Sequence, residues 1–179
     1  MPRYVAFLRG IGLGRRRPPM SRLKALFEEL EFADVATFIA SGNVVFTGRG
    51  ADTGRMEVRI ARHLETALGF AVDTFVRPAG EIVAIGRARI FPEEGQPGIT
   101  IHVGFLREAL PAETARRLAA VRTATDELRV VGREYYWLCR IRTSDSKVWT
   151  SPEVRALRLP TSTMRNLISL RKLIAEHLA

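Results

Sequence analysis

The run Arg3-Tyr4-Val5-Ala6-Phe7-Leu8 has the β-branched and aromatic content of a strand, and it stops in a loop that carries Gly10, Gly12 and Gly14. Pro18 and Pro19 bar a helix from running back through that loop, because proline has no N–H to donate and its ring clashes with the preceding turn. Beyond them Leu23, Leu26, Phe27 and Leu30 recur at helical spacing, with Ser21 as the expected N-cap and Glu28, Glu29 and Glu31 toward solvent. A strand forced to turn and enter a helix is the first half of a crossover unit. In a sheet such a crossover is right-handed and brings the next strand parallel to the first.

The rest of the chain fits that start. Residues 36–39 and 44–47 read as strands joined across 40–43, where Gly42-Asn43 is a hairpin signal. Residues 55–68 read as a helix with Val58, Ala61, Leu64 and Leu68 on one face and Gly69 as its stop. A strand over 72–76 and a short helix over 81–87 come next. The order β-α-β-β-α-β is that of a ferredoxin-like unit. After the linker-like stretch 93–98, the second half gives a strand (99–106), a helix (111–121, Pro111 near N1), and a hairpin (128–131 and 135–141 across Gly132). Helices at 152–157 and 165–178 complete it. The expected fold is therefore α+β, with a ferredoxin-like subdomain over 1–92 and a related subdomain over 98–179, a possible duplication.

The chain has 179 residues, 46% of them hydrophobic, and no apolar run near the ~18 residues of a membrane-crossing helix. The N-terminal apolar run is broken at Arg9 with no small-residue cleavage site, so no secretory signal is expected. Cys139 is the single cysteine and no intramolecular disulfide can form. These features point to a cytoplasmic protein. The formal net charge of +9 is unevenly spread: residues 9–24 hold six basic side chains and no acid, and residues 147–172 hold six against Glu153. A local excess of this kind suits an anionic partner, although an arginine-rich composition also arises without one.

The geometry of a ferredoxin-like unit brings the loop after the first strand and the hairpin after the second to one sheet edge. Arg9, Gly10, Gly12, Gly14, Arg15 and Arg16 would then lie beside Ser41, Gly42 and Asn43. Glycine-permitted backbone next to guanidinium groups is the chemistry of an anion-binding corner. Thr163-Met164-Arg165-Asn166 reads as the cap and first turn of the terminal helix, and adds Arg165 and Asn166 as anion donors. The loop matches neither a P-loop nor a dinucleotide fingerprint. His63, His102, His177 and Cys139 have no metal-ligand or nucleophile–base spacing, so the sequence names no catalytic residue, no metal and no cofactor. Tyr135, Tyr136 and Trp137 could stack bases, but alternation puts at least one side of that strand in the core. The readings left open are a phosphorylated or other anionic ligand, non-specific nucleic-acid binding, an enzyme using the corner as an oxyanion site, and an interaction module without ligand. Oligomeric state is not legible.

Two motifs carry a resemblance. Tyr4-Val5-Ala6-Phe7-Leu8-Arg9-Gly10-Ile11 and Thr37-Phe38-Ile39-Ala40-Ser41-Gly42-Asn43-Val44-Val45-Phe46 are similar to the start of the bacterial family called domain of unknown function 1697. Thr163-Met164-Arg165-Asn166-Leu167 resembles that family's C-terminal signature, with Leu167 where the pattern has tryptophan. Arg15-Arg16-Arg17-Pro18-Pro19 departs from the glycine with lysine or asparagine more usual there. The resemblance implies an α+β fold and no assigned activity.

Overall fold

The computed structural model describes residues 1–12, 14–38 and 42–179. Ser41 and Ile39, both part of the expected hairpin, lie outside the described residues. The elements run in the order β1 (Arg3–Arg9), α1 (Met20–Glu29), β2 (Ala33–Thr37), β3 (Asn43–Thr47), α2 (Thr53–Leu68), β4 (Asp73–Pro78) and α3 (Ala79–Arg87). The same order then repeats as β5 (Thr100–Phe105), α4 (Ala112–Ala119), β6 (Asp126–Val131), β7 (Glu134–Cys139), α5 (Pro152–Arg155), β8 (Thr163–Asn166) and α6 (Leu167–His177). Two compact units result, one of Met1–Gly86 with Leu173–Ala179, the other of Arg87–Lys172.

In the first unit the strand order is β2-β3-β1-β4, every pair antiparallel, which makes β1 and β2 parallel with β3 between them. This is the ferredoxin-like arrangement. Alternation sends Tyr4, Ala6 and Leu8 to the face covered by α1 and α2, where they meet Val44, Phe46, Leu26, Phe27, Ile60 and Leu64. Phe46 sits at the centre of this core, with ring centroids 4.3 Å from Phe32, 5.6 Å from Phe27 and 5.7 Å from Tyr4. The other face of the sheet, with Val5, Phe7, Val45, Phe75 and Arg77, is also fully withdrawn from solvent. Helix α2 is tied to the edge strand β4 by the Glu57 carboxylate, which accepts the Val76 N–H at 2.8 Å.

Local chemistry sets the helix ends. The expected N-cap Ser21 instead lies inside α1: Pro19, extended at ψ 146°, takes the cap position, and its carbonyl accepts the N–H groups of Arg22 and Leu23. In α2 the Asp52 side chain accepts the Arg55 N–H, and Gly69 at φ +83° closes the helix. The buried row of α2 is Met56, Glu57, Ile60 and Leu64. Val58, expected on that face, points out and is 50% exposed, because the apolar row starts at Met56 and leaves Val58 well off its axis.

The second unit repeats the order as β6-β7-β5-β8, again antiparallel throughout. The repetition extends to residues. Val5-Ala6-Phe7-Leu8-Arg9 in β1 matches Val103-Gly104-Phe105-Leu106-Arg107 at β5. Val5 lies opposite Arg77 in the first sheet and Val103 opposite Arg165 in the second. β8 corrects the expectation from sequence. Residues 163–166 pair with β5 rather than opening the terminal helix, which starts only at Leu167. A strand of four residues is too short to show an alternation. Asn166 marks the junction, its Oδ1 accepting the Ile168 N–H at 2.8 Å.

Two features hold the second sheet. Tyr135 lies across Gly104, where an added Cβ would stand 2.0 Å from the ring's Cζ. Asp126, 1% exposed, gathers the Trp137 indole N–H (2.7 Å), the Ser146 hydroxyl (2.7 Å) and the hydroxyls of Thr123 and Thr125. Burial alone would push this carboxyl up, but the hydrogen bonds outweigh it and leave the group below its ordinary range.

Gly104→Ala should destabilise the chain by about 2 kcal/mol through overpacking, read as a lower urea midpoint at unchanged m-value. Asp126→Ala should cost about 3 kcal/mol, since it strands a buried indole N–H and three hydroxyls. The depressed Asp126 carboxyl contributes stability that is complete above the unfolded pKa and is lost as pH falls through the lower folded value. Asp126→Asn should therefore flatten the acid limb of a stability–pH curve below about pH 4.

Candidate functional site

The end of β1 meets the β2–β3 hairpin, the Leu8 N–H donating to the Gly42 carbonyl at 2.7 Å, and Ile11, Gly12 and Arg17 of the loop that follows lie beside Gly42 and Asn43. Gly10, Gly12, Gly14 and Gly42 all have positive φ, from +54° to +88°, which lets two turns close on each other without Cβ strain. The loop is braced internally: the Gly12 N–H donates to the Arg16 carbonyl, and the Arg17 Nε–H donates to the Gly12 carbonyl at 3.2 Å. The hairpin is braced too, since Phe38 N–H donates to the Asn43 carbonyl and Asn43 Nδ2 donates back to the Phe38 carbonyl at 3.1 Å.

This seam is shut. The cavity between Ile11, Gly12, Arg17, Thr37, Gly42 and Asn43 has a volume of about 10 Å³. That holds at most a single water. Arg9, Arg15, Arg16 and Arg17 are exposed. Among the described residues none of these four pairs with an acid. The Arg16 guanidinium is held 5.2 Å from the Phe70 ring centroid, and a planar cation fixed over a ring still presents its edge donors outward. Arg9 stands opposite Asp73 in the β1–β4 register.

Arg165 and Asn166 belong to the second unit, on β8. The Arg165 Nη1 donates to Thr163 Oγ1 at 2.7 Å and to the Met164 carbonyl at 2.9 Å. Loss of solvent around this guanidinium lowers its pKa to about 10, so it stays charged at neutral pH. Leu167, in place of a tryptophan, is buried at the start of α6.

The remaining chemistry-bearing side chains are structural. Tyr135, Tyr136 and Trp137 are each under 5% exposed, so the strand offers no face for stacking bases; both sides are covered rather than one. Burial, with Glu134 adding to it, raises the Tyr136 phenol to about 12. Cys139 is buried, its thiol pushed up by burial and donating to the Ile141 carbonyl. A protonated thiol is a poor nucleophile. His102 packs against Trp137 with its pKa lowered by burial, and His63 bonds Glu29 at 3.0 Å. Among the described residues no group of three or more His, Cys, Asp or Glu is placed to hold a metal, and no helix is long and apolar enough to cross a membrane.

One cluster has no counterpart in the linear reading. Arg55, Arg59 and Arg62 share the outer side of α2 and line one open groove. Charge counting along the chain hides them, because Glu57 and Glu65 are interleaved. A helical projection finds them, since Glu57 belongs to the buried row.

Two similar four-stranded antiparallel units in one chain, with a glycine and arginine loop on the first, define an α+β protein of two like halves. The chain belongs to the family described as protein of unknown function (DUF1697), whose model matches residues 1–136. It is similar in fold to the conserved bacterial protein SP0830 from Streptococcus pneumoniae, with a TM-score of 0.74 and 16% identity over 100% of this chain and 99% of that one. Among curated proteins none matches the chain.

The closed seam carries its own prediction. Gly42→Ala forces a Cβ into a φ of +88° and should lower stability by about 1–2 kcal/mol, checked by chemical denaturation.

Proposed function

We propose that this protein binds a phosphorylated or otherwise anionic small ligand on the outer rim of the Arg9–Arg17 loop. The observation that carries the reading is a set of four guanidinium groups, Arg9 at the end of β1 and Arg15, Arg16 and Arg17 on the loop after it, with no acidic partner among the described residues. Several features support it. The loop backbone is fixed by its own hydrogen bonds and by the β2–β3 hairpin, so the arginines start from a pre-ordered base. Arg16 is further restrained by Phe70. Guanidinium forks match the geometry of phosphate oxygens. The 10 Å³ seam argues against an enclosed ligand and for one held at the surface, where recognition rests on charge more than on shape. A lone buried cysteine suits a protein that meets its ligand in the cytoplasm.

The test is titration of the full chain with inorganic pyrophosphate, monitored by calorimetry or by amide chemical shifts. The variant Arg9→Ala/Arg15→Ala/Arg16→Ala should bind at least about tenfold more weakly, a loss of about 1.4 kcal/mol. Shifts should be confined to residues 9–17 and 42–43. Equal affinity in the variant, or shifts centred elsewhere, rejects the reading.

A further inference from the structure

We propose that the outward face of α2 is a docking strip for the phosphate backbone of duplex nucleic acid, separate from the loop rim. Arg55, Arg59 and Arg62 fit the i, i+4, i+7 pattern, so they fall within about 60° of one another around the helix and span about 10 Å along it. One strand of a duplex presents about three phosphates over that length of its axis. The groove the arginines line is open and about 800 Å³ in volume, and Asp52, Gly54, Val58, His63 and Thr66 complete its lining.

The strip keeps a net positive charge, with three guanidinium groups against one lining carboxylate, Asp52. Arg55 and Arg62 have no ion pair among the described residues. Arg59 is pinned, its Nη2 donating to the Leu30 carbonyl at 2.8 Å and its guanidinium lying 5.5 Å from the Phe32 ring centroid, which fixes the middle of the row. Asp52 accepts the Arg55 N–H as helix cap and keeps its charge, Glu29 bonds His63, and Glu57 accepts the Val76 N–H in the interior. Glu65 projects on the flank beyond Val58. The helix itself is rigidly seated, capped at both ends and packed through Met56, Ile60 and Leu64. The strip has no side-chain amide placed to read base edges, since His63 is engaged and Thr66 is a single hydroxyl. Binding of this kind is independent of sequence.

The experiment is fluorescence anisotropy with a labelled random-sequence DNA duplex, across a salt series, using the full chain. Wild type should bind at about 50 mM salt and weaken as salt rises, with a log–log slope near −0.9 per phosphate contacted. Arg55→Gln/Arg62→Gln should make that slope shallower by about 2, while Arg55→Lys/Arg62→Lys should largely keep it. Circular dichroism of both variants controls for folding; a shallower slope in a folded Gln variant supports the strip. An unchanged slope in that variant, or no wild-type binding at about 50 mM salt, overturns it. The Arg15→Gln/Arg16→Gln variant separates the two sites. If it alone abolishes duplex binding, the strip is refuted and the loop is the nucleic-acid contact; if only pyrophosphate binding falls, the strip stands independently.

Discussion

Each unit depends on its first strand. β1 is hydrogen-bonded on both edges, to β3 and β4, and every one of its residues from Tyr4 to Leu8 is buried. A strand closed on all four sides tolerates little variation, and the chain can leave it only by a sharp turn at its end. That turn is why glycine recurs at positions 10, 12 and 14, and why the next side chains outward are free to be arginine. The same enclosure at β5 explains why Gly104 sits under Tyr135, where any larger residue would collide with the ring.

Much of this was legible in the sequence. β-branched and aromatic content located β1, a Gly-Asn hairpin signal located β3, alternation located β5, and the strand–helix–strand–strand order set the parallel relation of β1 to β2. The meeting of the Gly10 loop with Gly42 came from that order alone. Other features were not legible, for identifiable reasons. β8 is an edge strand of four residues whose pairing with β5 is invisible locally. Ser21 is a good capping residue, but two preceding prolines had already supplied an extended carbonyl at the cap position. Val58 belongs to a helix with more than one apolar row, and only packing selects Met56, Ile60 and Leu64. Trp137 looked available for stacking, yet Asp126, on the neighbouring strand, fixes its indole in the core.

The electrostatic picture differs in the same way. Contiguous charge is easy to see in a linear reading, and residues 9–17 stand out at once. Charge distributed over a helix face is not, because acids that point inward dilute the count. Arg77 and Arg165 are the opposite lesson: basic residues that count toward the net charge of +9 but have been taken out of solvent or bound to their own backbone. Net charge is therefore a poor guide to how much cation this surface presents.

The Val-Ala-Phe-Leu-Arg and Val-Gly-Phe-Leu-Arg repeats end in the same main-chain contact, Leu8 to Gly42 and Leu106 to Arg133. Beyond that contact the copies part ways. Ten residues separate β1 from α1, and six separate β5 from α4. After the shared arginine one copy has Gly10 and the other Glu108. The two corners thus share a main-chain plan, one longer and basic, the other shorter and carrying a carboxylate. The halves differ at the tip of the corner and agree at its root.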